Sequence, residues 1–126
     1  MPLEETVERF IARVEENKHD SAIEEFYTID ATMQENQLEP RAGRDVLVAN
    51  EREVLSKVKT LHSKCIRPVF IHGDYVVIRW SFQFDWLNGT TTKIEEITHQ
   101  RWKGEQIAEE HFFYDSSQLK PKKFTK

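Results

Sequence analysis

The sequence predicts an α+β fold, three helices lying on one face of a curved, mainly antiparallel sheet, and three features of the chain predict it. Apolar residues recur at helical spacing through the first half; beyond Thr60 the period drops to two. Three glycine-centred turns, His72-Gly73-Asp74, Leu87-Asn88-Gly89 and Lys103-Gly104-Glu105, then divide the second half into strands. Helices followed by a run of antiparallel strands pack with the helices segregated to one side of the sheet.

From Leu3 to Asn17, Leu3, Val7, Phe10, Ile11 and Val14 form an apolar stripe on an otherwise charged segment, an amphipathic helix. Asp20 sits where an N-cap would, and Ala22, Ile23, Phe26 and Tyr27 continue the stripe as a short second helix. Ala31 to Asn36 reads as a small strand, and Pro40 with Gly43 makes a loop. A third helix runs from about Arg44 to Lys57, with Val46, Leu47, Asn50, Val54 and Leu55 facing inward. Thr60 to His72 is rich in β-branched residues, but Pro68 cannot donate to a ladder, which places this strand at an edge or at a bulge. Tyr75 to Trp86 alternates cleanly as the central strand, with Val76, Ile78, Trp80, Phe82, Phe84 and Trp86 on one face. Lys93 to Trp102 returns after the hairpin, and Gln106 to Tyr114 completes the meander ahead of a basic tail, Lys120 to Lys126.

The 126 residues, 38% hydrophobic, 32% charged and 11% aromatic, suit one domain spanning 1–126 with one core. Eighteen Lys and Arg against 22 Asp and Glu leave a net charge of −4, which argues against nucleic acid or a membrane surface as partner. A single cysteine, Cys65, reads as a small buried hydrophobe; with no signal-peptide pattern and no membrane-spanning run, the expected compartment is the cytoplasm. No His-x-His or Glu-x-x-His spacing marks a metal, and no glycine-rich phosphate loop or Gly-x-Ser-x-Gly elbow appears, so neither metal nor cofactor is expected.

Four segments in order carry a resemblance. They are the helix-Asp-helix start around Asp20, Phe26-Tyr27-Thr28-Ile29-Asp30-Ala31-Thr32, Gly43-Arg44, and the run from Arg101-Trp102-Lys103-Gly104-Glu105 to His111-Phe112-Phe113-Tyr114-Asp115. Together they resemble the SnoaL-like branch of the nuclear transport factor 2-like superfamily over nearly the whole chain. The resemblance implies a cone, a bent sheet wrapped around three helices and enclosing a pocket open at one end. That superfamily includes ketosteroid isomerases, polyketide cyclases, scytalone dehydratase, limonene epoxide hydrolase and members without catalysis, so the fold leaves the chemistry open.

Laid on the ketosteroid isomerases, the general-base position falls on Glu35. The position of their protonated aspartate falls on Thr98, and their helix-one tyrosine has no counterpart, because neither Phe10 nor Val14 carries a hydroxyl. A base without oxyanion donors does not support steroid isomerisation. Glu35 is therefore either a general base in an apolar pocket or a solvated acid on a loop.

Strand parity adds a second set. If Trp102 faces the core, so do Gln100, Thr98, Glu96 and Ile94. Phe112 and Tyr114, inward by the resemblance, bring Glu110 with them. Glu96, Gln100 and Glu110 would then share one polar patch in which two acids split their pKa values, unless a β-bulge turns them outward. The expected catalytic set is Glu35, Glu96 and Glu110, and the expected substrate wall is Tyr27, Trp80, Phe84, Thr98, Gln100, Phe112 and Tyr114.

His99 and His111 fall on the opposite, convex face with Arg79, Ser81, Gln83, Ile97, Arg101 and Phe113, a composition suited to a homodimer interface. His19, His62 and His72 are scattered. Two readings remain: a cofactor-independent cyclase, isomerase or dehydratase acting by acid/base chemistry on a small apolar carbonyl or hydroxyl compound, or a non-catalytic ligand-binding or dimer-scaffold protein.

Overall fold

The computed structural model describes residues 1–120 and the backbone of 122–123; residues 121 and 124–126 of the expected basic tail lie outside the described residues. Two helices, α1 (Glu4–Glu15) and α2 (His19–Phe26), precede β1 (Tyr27–Glu35) and β2 (Arg41–Ala42). Then come α3 (Arg44–Leu55), β3 (Val58–His72), β4 (Tyr75–Trp86), β5 (Thr90–Lys103), β6 (Gln106–Phe113), a 3₁₀ turn (Ser116–Leu119) and β7 (Lys122–Lys123). Among the described residues no helix is long and apolar enough to cross a membrane.

The strands form one mixed sheet in the order β2-β1-β6-β5-β4-β3, with β7 pairing onto β5. β3 to β6 is the antiparallel meander the turns predicted, while β1 returns parallel to β6. The Pro68 strand is an edge strand and also shifts register between Ile66 and Phe70. β4 is interior, one place in from that edge, rather than central.

The helical half differs from expectation in four places. α2 starts at His19 after Lys18, with no side-chain cap; Asp20 lies inside the helix and pairs with Arg52 at 3.1 Å. Asn17 turns the chain at φ 67° and leaves Lys18 at the cap position, where its side chain has no acceptor to offer the first helical N–H groups. Tyr27 opens β1 instead of closing α2, and β1 is longer than Ala31–Asn36 because β6 offers it a parallel partner. In α3, Val46 is exposed and Val48 is buried beside Leu47, one residue round the helix from the expected face. Gly43 sets that phase: its φ of 98° lets its N–H reach the Ala31 carbonyl at 2.8 Å before the helix starts.

The core lies between α1, α2 and the concave side of the sheet. Phe10 packs edge-on against Trp102 (6.1 Å, 89°) and Phe26 (5.6 Å, 77°), with Val7, Ile11, Ile23, Val76, Ile78 and Ile107 fully or nearly buried around them. Cys65 is buried, and burial pushes its thiol up. This plug fills one end of the cone. The other end stays hollow.

Candidate functional site

The hollow end is a cavity of about 430 Å³, bounded by α1 and α2, by α3 and by the inward faces of β1, β4, β5 and β6. Alternation on β4 aligns its aromatic wall: Trp80 stacks on Phe82 (5.4 Å, 18°) and Phe84 on Trp86 (5.2 Å, 8°). Phe10, Tyr27, Phe112 and Leu119 add to the apolar lining, with aliphatic side chains from all three helices between them.

The inner floor is a hydrogen-bonded network. Trp102 Nε1 donates to Gln100 Oε1 at 3.0 Å, Gln100 Nε2 donates to Glu110 Oε2 at 2.7 Å, and the Tyr27 hydroxyl donates to Glu110 Oε1. All four residues are buried. Burial pushes the Glu110 carboxyl up to about 7 even though both donors favour its ionised form. Burial and the adjacent carboxylate push the Tyr27 hydroxyl well above its ordinary value.

A register shift delivers Glu110 to this floor. Trp102 pairs with Ile107 and Arg101 with Glu109, so Ala108 is an extra residue on β6. Simple alternation from the buried Ile107 would carry Glu109 and His111 inward; the extra residue brings in Glu110 and Phe112 instead.

Nearer the mouth, Glu35 accepts from Arg41 Nη1 at 3.0 Å and from the Tyr114 hydroxyl at 2.9 Å. Burial, followed by acceptance by Glu35, raises the Tyr114 hydroxyl. The Glu96 side chain on β5 makes no hydrogen bond or ion pair among the described residues. It is pushed up to about 8, first by burial and then by the charges of Glu110, Glu35 and Glu51. Burial and the neighbouring carboxylates thus favour the protonated form of a carboxyl that faces the cavity.

Of the expected residues, Tyr27, Glu35, Trp80, Phe84, Glu96, Glu110 and Phe112 line this one cavity. Thr98 and Gln100 do not: they are fully buried beneath it, Gln100 held between Trp102 and Glu110. Tyr114 also lies outside the lining and acts on it through Glu35. Glu35 ends a strand instead of sitting on a loop. Sequence reasoning missed Arg41, Glu51 and His19. His19 lies 3.3 Å from Glu51 through Nδ1 and 2.8 Å from Ser63 Oγ through Nε2. Glu51 follows from the true inward face of α3, four residues beyond Leu47; His19 has no local signal. Among the described residues no group of three His, Cys, Asp or Glu could hold a metal ion.

A hollow α+β cone with a carboxyl-lined aromatic cavity defines the class of protein. The chain belongs to the SnoaL-like domain family, which it matches over residues 7–110. Solved structures share the fold. A cystatin-like-fold protein of unknown function from Xanthomonas campestris is 18% identical, with 94% of this chain and 95% of that one covered and a TM-score of 0.77. A candidate SnoaL-like polyketide cyclase from Mesorhizobium loti is 18% identical (87% and 97% covered, TM-score 0.73). An epoxide hydrolase of the LEH-like kind from M. tuberculosis is 12% identical (91% and 84% covered, TM-score 0.75). No curated protein matches the sequence.

Proposed function

We propose that this chain is a single-domain, cofactor-independent cytoplasmic enzyme of the cyclase, isomerase or dehydratase kind, acting by acid/base chemistry on a small apolar carbonyl or hydroxyl compound. The observation that carries the reading is Glu96, a carboxyl without a partner among the described residues, sharing one aromatic cavity with the ion-paired Glu35. Glu35 is the base, taking a proton from carbon beside the substrate's carbonyl. Glu96 is the acid, giving its proton to the oxygen as charge develops there. Glu110, both of whose oxygens already accept hydrogen bonds, holds the floor and raises Glu96 by its charge. The cyclase and hydrolase among the similar folds are consistent with such a pocket without assigning its substrate.

Hydrogen–deuterium exchange at the α-carbon of 2-indanone, followed by mass spectrometry in D₂O, tests this. Exchange above the buffer rate is expected, and Glu35→Gln and Glu96→Gln should each slow it by about 10²- to 10⁴-fold. Wild-type protein that binds the ketone without exchanging it would favour a non-catalytic binding protein. That second reading has one observation in its favour: both oxygens of Glu35 already accept hydrogen bonds.

The same proposal includes a homodimer through the convex sheet face. Tyr75, Ile97 and Phe113 are each more than 40% exposed there, His99 lies 5.3 Å from Tyr75, and His111 stacks on Phe113. Sedimentation should show a dimer at micromolar concentration, which Arg101→Glu and Phe113→Asp dissociate; a monomeric wild type would refute it.

A further inference from the structure

Charge inside the cavity is unbalanced. Four carboxyl groups line it, Glu35, Glu51, Glu96 and Glu110, against two side chains able to carry positive charge, Arg41 and His19. Both of these are engaged, Arg41 at 3.0 Å from Glu35 and His19 at 3.3 Å from Glu51. Glu110 is met by the neutral donors of Tyr27 and Gln100, and Glu96 by no polar group among the described residues. Placing a second anion in such a space would cost both its own desolvation and repulsion from every wall.

The remaining lining decides what kind of cation fits. A metal ion prefers several oxygens converging on one point, and no three acidic or histidine side chains among the described residues do so. The stacked pairs Trp80–Phe82 and Phe84–Trp86 instead offer a continuous apolar wall beside Glu96, whose cross-strand partner is Trp80. An alkylammonium spreads its charge over carbon-bound hydrogens and is weakly hydrated, so it can lie against such a wall and still meet a carboxylate.

We propose that the cavity selects ligands by charge, taking small organic cations, an ammonium group on an apolar body, in preference to neutral molecules of the same shape and rejecting the corresponding anions. The ammonium lies against Glu96, with Glu110 behind it, and the apolar body against the β4 wall. This rests on the cavity being the ligand site and not on its catalysing anything. When a cation binds, a protonated Glu96 releases its proton to solvent; a neutral ligand leaves its protonation unchanged.

Three molecules of one shape test it by isothermal titration: choline, 3,3-dimethyl-1-butanol and 3,3-dimethylbutanoate. At pH 8.5 choline should bind about tenfold more tightly than the alcohol, and the carboxylate should not bind. Choline should weaken by about tenfold as pH falls to 6, while the alcohol stays constant, because Glu96 then holds a proton that the cation must displace. The groups facing Glu96 in that titration are Glu110 on β6, Glu35 and Tyr27 on β1, Glu51 on α3 and Tyr114 beyond β6, with Arg41 and His19 completing the charged set. Glu96→Gln should abolish the choline preference and its pH dependence, and a cooperative thermal unfolding transition like that of the wild type shows that the variant is folded. Equal binding of alcohol and choline, or any binding of the carboxylate comparable to the alcohol, overturns the inference and leaves the acid/base reading standing. Failure of all three to bind overturns it together with the reading of this cavity as a ligand site.

Discussion

The floor and the mouth of the cavity hold the same residue type in opposite circumstances. At the floor, Glu110 is buried yet satisfied: Tyr27 and Gln100 donate to its two oxygens, and Trp102 holds Gln100 in place. At the mouth, Glu96 has no donor and depends on cavity solvent or a ligand. Burial raises both; at Glu110 the Tyr27 and Gln100 donors oppose it, whereas at Glu96 the charges of Glu110, Glu35 and Glu51 add to it. The difference teaches that burial alone does not mark a reactive carboxyl. Missing partners do: Glu96 has its side-chain hydrogen bonds still to make, whereas Glu110 has already made two inside the core.

Three changes would break or sharpen that contrast. The largest effect is expected at the floor, where Gln100→Leu strips one donor from Glu110 and leaves the Trp102 indole N–H without an acceptor. It should destabilise the fold by about 2 to 4 kcal/mol in urea unfolding; a loss below about 1 kcal/mol would mean the network is not holding the floor. At the mouth, Glu96→Gln should instead raise stability at pH 8, by about 1 to 2 kcal/mol. The sign follows from linkage. Folded Glu96 and Glu110 keep protons at pH values where an unfolded carboxyl, near 4.5, has lost its own, so stability falls as pH rises from about 5 to 8. Thermal unfolding across that window should show a shallower decline in Glu96→Gln than in the wild type, and parallel slopes would refute the raised value. The smallest effect belongs to Arg41→Gln. It breaks the Glu35 pair where both side chains are about one-third exposed, and the expected cost is under about 1 kcal/mol. A larger loss would make that pair part of the fold instead of part of the mouth.

Much of this architecture was legible along the chain because its signals are local. Helical spacing in α1, alternation in β4 and a glycine at each of three turns are properties of a few neighbouring residues, and they place the meander and the aromatic wall directly. The cavity carboxyls were legible only as far as parity could be trusted. Glu96 followed from Trp102 along one unbroken strand, whereas Glu110 needed the resemblance, since the extra residue at Ala108 reverses the count from Ile107. Thr98 and Gln100 have the right parity and still miss the cavity. Facing inward tells which side of the sheet a residue occupies, and the depth at which the core ends and the hollow begins depends on what α1 and α2 pack against.

The sequence by itself determined the order of elements, the curved meander with its aromatic face, and a set of inward carboxyls, because periodicity and turn chemistry act over a few residues. Tertiary structure alone decided that Arg41 neutralises Glu35, that His19 meets Glu51 across 32 residues, and that Glu110 is satisfied while Glu96 is not. Those are contacts between elements distant in the chain, and hydrogen bonding and desolvation depend on what stands within a few ångströms in space, whatever its place in the sequence.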